Sequence, residues 1–177
     1  MRKIIGLVGS SGSGKTRFCE HILQAARQAG KICYGFYCPA VFVHETKAGI
    51  NTVLISTGEV KSLAKLSQPG SSLAFGKWEL SQDTLTWADA WIRKLKRCDV
   101  LIIDEIGPLE VYEHRGWASA LEVLRQAEFT LGVVTYRPAL SKFFTTQFPD
   151  LVEVNLDVTK DLSEADQLIQ AILKANS

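Results

Sequence analysis

Two short segments of the chain carry residue types that could do chemistry on phosphate groups. The first, GSSGSGKT from Gly9 to Thr16, matches the pattern G-x-x-x-x-G-K-[ST] between a predicted strand and a predicted helix. Glycines allow a tight turn that directs backbone N–H groups at phosphate oxygens, and the following helix adds its dipole. The pattern predicts a nucleoside triphosphate site in which Lys15 bridges the β- and γ-phosphates and the Thr16 hydroxyl binds Mg²⁺. Its predicted lining is Gly9, Ser10, Ser11, Gly12, Ser13, Gly14, Lys15 and Thr16.

The second segment, VLIIDEIGPLE, ends an apolar run with two adjacent acids, Asp104 and Glu105. Repulsion and desolvation both disfavour such a pair at the end of a buried strand. We interpret Asp104 as the acid that holds Mg²⁺, usually through water, because the charge of the metal offsets that of the carboxylate. Consecutive strand residues point to opposite faces, so Glu105 reaches the same ligand only if the backbone turns sharply, as Gly107 and Pro108 indicate. We predict that Glu105 orients or activates the attacking water, and two solvated loop acids are the alternative.

Two further charged residues have weaker signals. Arg137 in VVTYRPAL precedes a proline, so it should be extended at a strand end on the same ligand edge. An arginine there can stabilise charge on the γ-phosphoryl oxygens, and we therefore predict Arg137 as catalytic together with Lys15 and Glu105. A surface ion pair explains Arg137 equally well. Glu110 could favour the start of the next helix, and its role stays open.

Strand-like and helix-like segments alternate along the chain and would position these residues. Strands are predicted at 3–9, 31–39, 98–105, 129–136 and 150–158, and helices at 15–30, 81–97, 117–127 and 163–176, with a short helix near 139–148. Ser163 with Asp166 resembles a capping box at the start of the last helix. AVFVHE and NTVLIST flank the turn-like TKAGI, which predicts a β-hairpin from Ala40 to Thr57, and FGKWEL predicts one further short strand.

This alternation predicts an α/β fold of the P-loop NTPase type. The expected architecture is a three-layer sandwich whose central sheet is mostly parallel and carries an inserted antiparallel hairpin. In an open parallel sheet, ligands bind beyond the carboxyl ends of the strands, so the two motifs should meet at one edge. The order of the strands stays open.

Composition limits the classes of partner and the number of domains. A chain of 177 residues that is 46% hydrophobic can bury one core, and we predict a single domain over residues 1–177. A formal net charge of +1 argues against a nucleic-acid or membrane partner. The four cysteines contain no CxxC pair, and no segment resembles a signal peptide or a membrane span. We expect a cytoplasmic protein with free thiols, acting as a monomer or weak dimer.

Five motifs together resemble the cancer-related nucleoside-triphosphatase family of bacteria, archaea and animals. They are GSSGSGKT, GFYCP, the hairpin that ends in TGE, FGKWELS and IIDEIGPLE, and the resemblance runs from Lys3 to about Val154. It implies slow Mg²⁺-dependent hydrolysis of ATP, GTP and other nucleoside triphosphates with loose base preference. It also implies that the phosphate loop binds the nucleotide, that Asp104 is the acid on the metal side and that Glu105 is the catalytic carboxylate. The chain departs from the family in having Ala40 and Phe42 where a Glu and an Arg are often found.

Two other functions share the phosphate loop. A nucleotide or small-molecule kinase would need an acceptor pocket and normally an arginine-rich lid, and residues 138–160 contain no arginine cluster. A nucleotide-binding accessory module is the second alternative, because the first 16 residues resemble the GTP-binding adaptor of molybdopterin-dinucleotide synthesis. Trp78 could stack on a base, although an aromatic residue in a short strand is more often part of the core.

Overall fold

The computed structural model describes residues 2–67, 74–75, 77–158, 163, 167 and 169–170 of the chain. Ten strands in this part of the chain form one mixed sheet. The strands are β1 (Lys3–Val8), β2 (Cys33–Tyr37), β3 (Ala40–Val43), β4 (Thr46–Leu54), β5 (Val60–Leu66), β6 (Ala74–Phe75), β7 (Trp78–Leu80), β8 (Val100–Ile106), β9 (Leu131–Tyr136) and β10 (Leu151–Asn155). Their order is β10-β1-β9-β8-β2-β4-β5-β7-β6, and β3 pairs with β4 outside this path.

Strands β10, β1, β9, β8 and β2 run parallel and form one half of the sheet. Nearly all residues of β1, β8 and β9 are buried, as their uninterrupted apolar runs predict for strands covered on both faces. Strand β9 lies between β1 and β8. Because all three point the same way, their carboxyl ends lie side by side and bring Gly9, Asp104 and Arg137 to one edge.

The other half of the sheet is antiparallel and larger than the predicted hairpin. β3 and β4 do form a hairpin, but the predicted turn at TKAGI is wrong. The turn lies at His44 and Glu45, whose φ angles of 45° and 64° are left-handed, so β4 already begins at Thr46. β5 was not predicted. The segment FGKWEL, predicted as one strand, includes the last residue of β6 and all of β7, two strands that pair with each other. β5 lacks the period of two that identifies a half-buried strand, because its two buried residues, Leu63 and Ala64, are adjacent.

Helices cover both faces of the sheet. They are α1 (Lys15–Gln28), α2 (Gln82–Ile92), α3 (Pro108–Tyr112), α4 (Ala118–Gln126) and α5 (Ser141–Gln147), preceded by a 3-10 turn at Pro138–Leu140. α1 buries Ile22 against Leu131 and Val133 on one face, whereas α2 and α4 bury Ile92 and Leu124 on the other. Each such side chain contributes roughly 1.5–3 kcal/mol through burial.

Parts of two predictions lie outside the described residues. Most of the predicted helix at 163–176 lies outside the described residues, as does Asp166 of its capping box. Ile169, which is described, is buried on the face of the sheet that α1 covers. All four cysteines are buried free thiols, as expected.

Candidate active site

The loop between β1 and α1 wraps around the ammonium group of Lys15. Nζ of Lys15 donates hydrogen bonds to the carbonyl oxygens of Gly9 at 2.7 Å and Ser10 at 2.8 Å, and the side chain is buried. Gly12 and Gly14 have φ angles of 84° and 97°, which other residues rarely adopt, so the loop requires glycine at both positions. Burial lowers the pKa of Lys15, and the nearby acids Glu105 and Asp104 oppose this change.

Asp104 is fully buried and joins three elements through hydrogen bonds. Oδ2 accepts from Oγ1 of Thr16 at 2.8 Å and from the backbone N–H of Cys38 at 2.9 Å. Oδ1 accepts from Oγ1 of Thr135 at 2.6 Å. Burial raises the pKa of Asp104, and these three hydrogen bonds oppose the rise because they favour the carboxylate. The two motifs, which were predicted to meet at one edge of the sheet, are in direct contact through Thr16 and Asp104.

Glu105 lies at the sharp turn that its predicted role requires. Its φ angle is 65°, in the left-handed region, and the pairing of β8 with β9 is irregular between Ile103 and Ile106. We predicted the turn from Gly107 and Pro108, whereas the backbone already turns at the acid itself. Such a conformation costs of order 1–3 kcal/mol in a residue other than glycine, and it persists only where the surroundings enforce it. Here the backbone N–H of Glu105 donates to Oγ1 of Thr135 at 2.9 Å.

Sequence reasoning missed Thr135, which serves both acids. Its hydroxyl donates to Asp104 and accepts from the backbone of Glu105, so one side chain sets the position of the pair. Thr135 is fully buried in β9, the strand between the two motif-bearing strands. A single polar residue inside the apolar run LGVVTY was the available signal, but its partners depend on strand order.

The charges of three cations act on the carboxylate of Glu105. Burial and the charge of Asp104 raise the pKa of Glu105, while the charges of Lys15, Lys47 and Arg137 lower it. Arg137 is extended, with ψ of 155°, and lies at the end of β9 as predicted. Its side chain is exposed, and the structure brings its charge within range of both Lys15 and Glu105.

Glu110 has a structural explanation. Its carboxylate accepts hydrogen bonds from the backbone N–H of Gly107 at 2.9 Å and of Trp117 at 3.2 Å. Gly107 precedes α3 and Trp117 precedes α4, so Glu110 holds the starts of two helices together. The side chain is buried, which raises its pKa, and the two hydrogen bonds oppose this rise. Glu110 thus supports the turn that follows Glu105.

Asp157, beyond the end of β10, contacts the phosphate loop and was also missed. Its carboxylate accepts from the backbone N–H and from the hydroxyl of Ser10, both at 2.8 Å. β10 pairs with β1 in parallel, so the ends of both strands reach the loop. The sequence contains no local signal for this contact, because 147 positions separate the two residues.

An open cleft of about 460 Å³ lies between the phosphate loop and the β3–β4 hairpin. Its lining comes from three segments, the loop with the start of α1, the segment after β2, and the hairpin: Gly12, Gly14, Lys15, Thr16, Arg17, Glu20, Cys38, Pro39, Ala40, Phe42 and Lys47. The hydroxyl of Thr16 and the carboxylate of Asp104 are oxygen ligands of the kind that Mg²⁺ prefers, and Mg²⁺ usually takes its other ligands from phosphates and water. The described residues contain no cluster of three or more His, Cys, Asp or Glu that could hold a metal ion by itself.

Comparison with known proteins decides the family. Residues 4–173 match the model of a family described as NTPase. The chain belongs to this NTPase family. The resemblance noted from the motifs is thereby confirmed.

Relatives of this chain include archaeal proteins named nucleoside-triphosphatase THEP1. The chain is 32% identical over 106 residues to that of Saccharolobus solfataricus, covering 59% of this chain and 60% of the relative. This alignment spans less than two thirds of the relative. With the protein of the same name from Sulfolobus acidocaldarius, identity is 25% over 162 residues, covering 89% of this chain and 79% of the relative.

A solved structure supports the fold. The chain superposes on the solution structure of a human cancer-related nucleoside triphosphatase with a TM-score of 0.70 and 21% identity, covering 100% of this chain and 98% of that one. The predicted α/β fold class of this NTPase family member is confirmed. Within the described part of the chain, the helices are too short or too polar to cross a membrane.

Proposed function

We propose that the protein hydrolyses nucleoside triphosphates to the diphosphate and inorganic phosphate in a Mg²⁺-dependent reaction. The observation that carries this proposal is the hydrogen bond between Thr16 and Asp104, which joins the phosphate loop to the paired acids across the intervening strand β9. Membership of the NTPase family and the names of the archaeal relatives point to the same activity. ATP, GTP and other triphosphates are the proposed substrates.

The phosphate loop would hold the polyphosphate. Its glycines free the backbone N–H groups, and α1 begins at Lys15, so its positive end faces the bound anion. The Lys15 ammonium, already enclosed by the loop, would contact the β- and γ-phosphates. Thr16 and Asp104 would hold Mg²⁺, which neutralises charge on the phosphate oxygens when it is bound.

Glu105 would act as the general base that takes a proton from the attacking water. The pKa of its carboxyl is raised towards neutral pH, which suits a group that must accept a proton during the reaction. The strained backbone and the hydrogen bond to Thr135 hold the acid in place. Arg137 would stabilise charge on the γ-phosphoryl group from the adjacent strand end.

A small-molecule kinase is a second candidate, because one feature of the site suits an acceptor. A cavity of about 130 Å³ adjoins Glu105 and has a mainly apolar lining. An acceptor hydroxyl placed there could replace water as the nucleophile. The apolar lining residues are Ile50, Leu63, Trp78, Leu80, Leu85, Pro108, Leu109 and Trp117.

Phosphate release from MgATP, MgGTP and the other common triphosphates, without any acceptor, tests the proposal. Lys15→Ala and Glu105→Gln should each lower kcat by at least about 100-fold, since a base and a phosphate ligand each contribute factors of this order. Glu113→Gln is the matched control, because Glu113 is a surface acid paired with Arg115 at 3.4 Å and should leave the rate unchanged. Full activity in Glu105→Gln would contradict the base assignment, and turnover only with an added alcohol or nucleoside would favour the kinase.

A further inference from the structure

The β3–β4 hairpin brings a second lysine to the nucleotide cleft. Lys47, the second residue of β4, lines the cleft together with Lys15 and Thr16. In the register of the hairpin, Lys47 is the partner of Phe42, which lines the cleft as well. The phosphate loop and the hairpin therefore face each other across the same space, each with a lysine.

The position of Lys47 is set by regular structure. β4 pairs with β2, β3 and β5, so its backbone is tied to the parallel half of the sheet. Lys47 also contacts a residue outside the hairpin: its Nζ lies 5.3 Å from the centroid of the Trp78 ring, within the range of a cation–π contact. Trp78 also lines the small cavity beside Glu105. The ring thus places the ammonium between the cleft and the small cavity that Glu105 lines.

The charge of Lys47 reaches the reacting centre. It acts on the carboxylate of Glu105 together with the charges of Lys15 and Arg137. A terminal phosphate bound between Lys15 and Glu105 would therefore lie between cations from three separate elements: the phosphate loop, the end of β9 and the hairpin.

We propose that Lys47 is a ligand of the terminal phosphate of a bound nucleoside triphosphate. This inference rests on the proposed function, since it assumes that the cleft holds the triphosphate. The Lys47 ammonium would contact γ-phosphate oxygens directly, and so recognise a triphosphate over a diphosphate. Because negative charge on the transferred group and its leaving oxygen changes during the reaction, the same contact would also raise kcat.

The chain offers a closely matched control. Nζ of Lys77 lies 5.4 Å from the same Trp78 ring, yet Lys77 is not among the residues that line the cleft. Replacing Lys77 removes an equivalent contact with the ring and the same unit of charge. A difference in ligand affinity between Lys47→Ala and Lys77→Ala therefore reports the contribution that Lys47 makes through its position in the cleft.

The test compares binding of a slowly hydrolysed triphosphate with binding of the diphosphate. Isothermal titration calorimetry of the full chain with Mg²⁺ would use AMP-PNP against ADP, and GMP-PNP against GDP. Lys47→Ala should weaken triphosphate binding by about tenfold or more, which corresponds to one charge-assisted hydrogen bond, and change diphosphate binding less than about twofold. Lys47→Arg should restore most of the affinity, and Lys77→Ala should match the wild type.

Two results would overturn the inference. One is equal affinity of Lys47→Ala and wild type for the triphosphate; the other is an equal loss for both ligands, which would indicate a disturbed hairpin or a contact with the diphosphate part. These measurements need no turnover. If the wild type releases no phosphate, the hydrolase proposal fails, while the comparison of triphosphate with diphosphate still decides the role of Lys47.

Discussion

The parallel and antiparallel halves of the sheet reach the same cleft with different kinds of group. The parallel half contributes the phosphate loop, Asp104 and Glu105 from the ends of strands buried on both faces. The antiparallel half contributes Lys47 and Phe42 from a hairpin whose β3 strand is mostly exposed. A fully buried group must have its hydrogen bonds satisfied inside the protein, whereas a half-buried lysine such as Lys47 still reaches water and can be held by one aromatic ring. We therefore expect the first half to tolerate substitution far less than the second.

The largest effect should come from Thr135 in the parallel half. Thr135→Val keeps the shape of the side chain but leaves Oδ1 of Asp104 and the backbone N–H of Glu105 without their described partner. We expect kcat to fall about 100-fold and the free energy of unfolding to fall by about 1–3 kcal/mol. Steady-state phosphate release and urea unfolding measure the two effects. Thr135→Ser keeps the hydroxyl and should restore both, and a Val variant with normal kcat would remove Thr135 from the site.

In the parallel half of the sheet, a change of pH should affect activity and stability in opposite directions. The folded pKa values of Asp104, Glu105 and Glu110 are raised, so the folded state holds these protons more tightly than the unfolded state. The tighter binding of these protons stabilises the folded state fully when the pH is below the pKa of the carboxyl groups in the unfolded chain. This stabilisation is lost as the pH rises through their raised pKa in the folded state. Activity should respond in the opposite direction, since kcat/KM needs ionised Glu105 and falls as pH drops through its raised pKa.

Parallel measurements of urea unfolding and kcat/KM between neutral pH and about pH 5 would check this opposition, the lower limit being near the ordinary carboxyl range. Glu105→Gln should flatten part of the dependence of unfolding on pH, because it removes one of the groups that titrates. If acidification lowers both the free energy of unfolding and kcat/KM, these buried acids do not dominate the dependence of stability on pH.

A smaller effect is expected from Trp78 in the antiparallel half. Trp78→Leu keeps an apolar side chain at the edge of the core and removes the ring that supports Lys47. We expect the affinity for AMP-PNP to fall about two- to fivefold, because a partly exposed cation–π contact is worth roughly 0.5–1 kcal/mol. Trp78→Phe should lie between Leu and wild type. Calorimetry in the Lys47→Ala background should show a much smaller effect of Trp78→Leu, and additive losses would argue against a link between the two residues.

The smallest effect on activity should come from Glu110. Glu110→Gln can accept only one of the two backbone N–H donors through its amide oxygen, so the starts of α3 and α4 lose a shared contact. We expect the free energy of unfolding to fall by about 1–2 kcal/mol at neutral pH. kcat should stay within about threefold of wild type, as a supporting role implies. A loss of kcat comparable to that of Glu105→Gln, at unchanged stability, would instead make Glu110 part of the reaction.

Predictability also differs between the two halves. The phosphate loop and the acids of β8 could be predicted because their patterns are contiguous and follow directly on apolar runs. The turn of the hairpin was misplaced, since TKAGI looks turn-like while the actual turn uses His44 and Glu45 in a left-handed conformation. Lys47 carries no local signal, because its aromatic partner lies more than thirty positions away in the sequence. Thr135 is recognisable as a lone polar residue in an apolar run, but its partners depend on strand order.

Local patterns in the chain were enough to predict the α/β class, the phosphate loop and the location of Asp104 and Glu105 at a strand end. These features depend on the spacing of apolar residues and glycines among neighbouring positions. The three-dimensional arrangement was needed to show that β9 separates the two motif strands, that Glu105 turns in the left-handed region, and that Lys47 faces Lys15 across the cleft. Strand order and register arise from packing between segments distant in sequence, so no local pattern contains them.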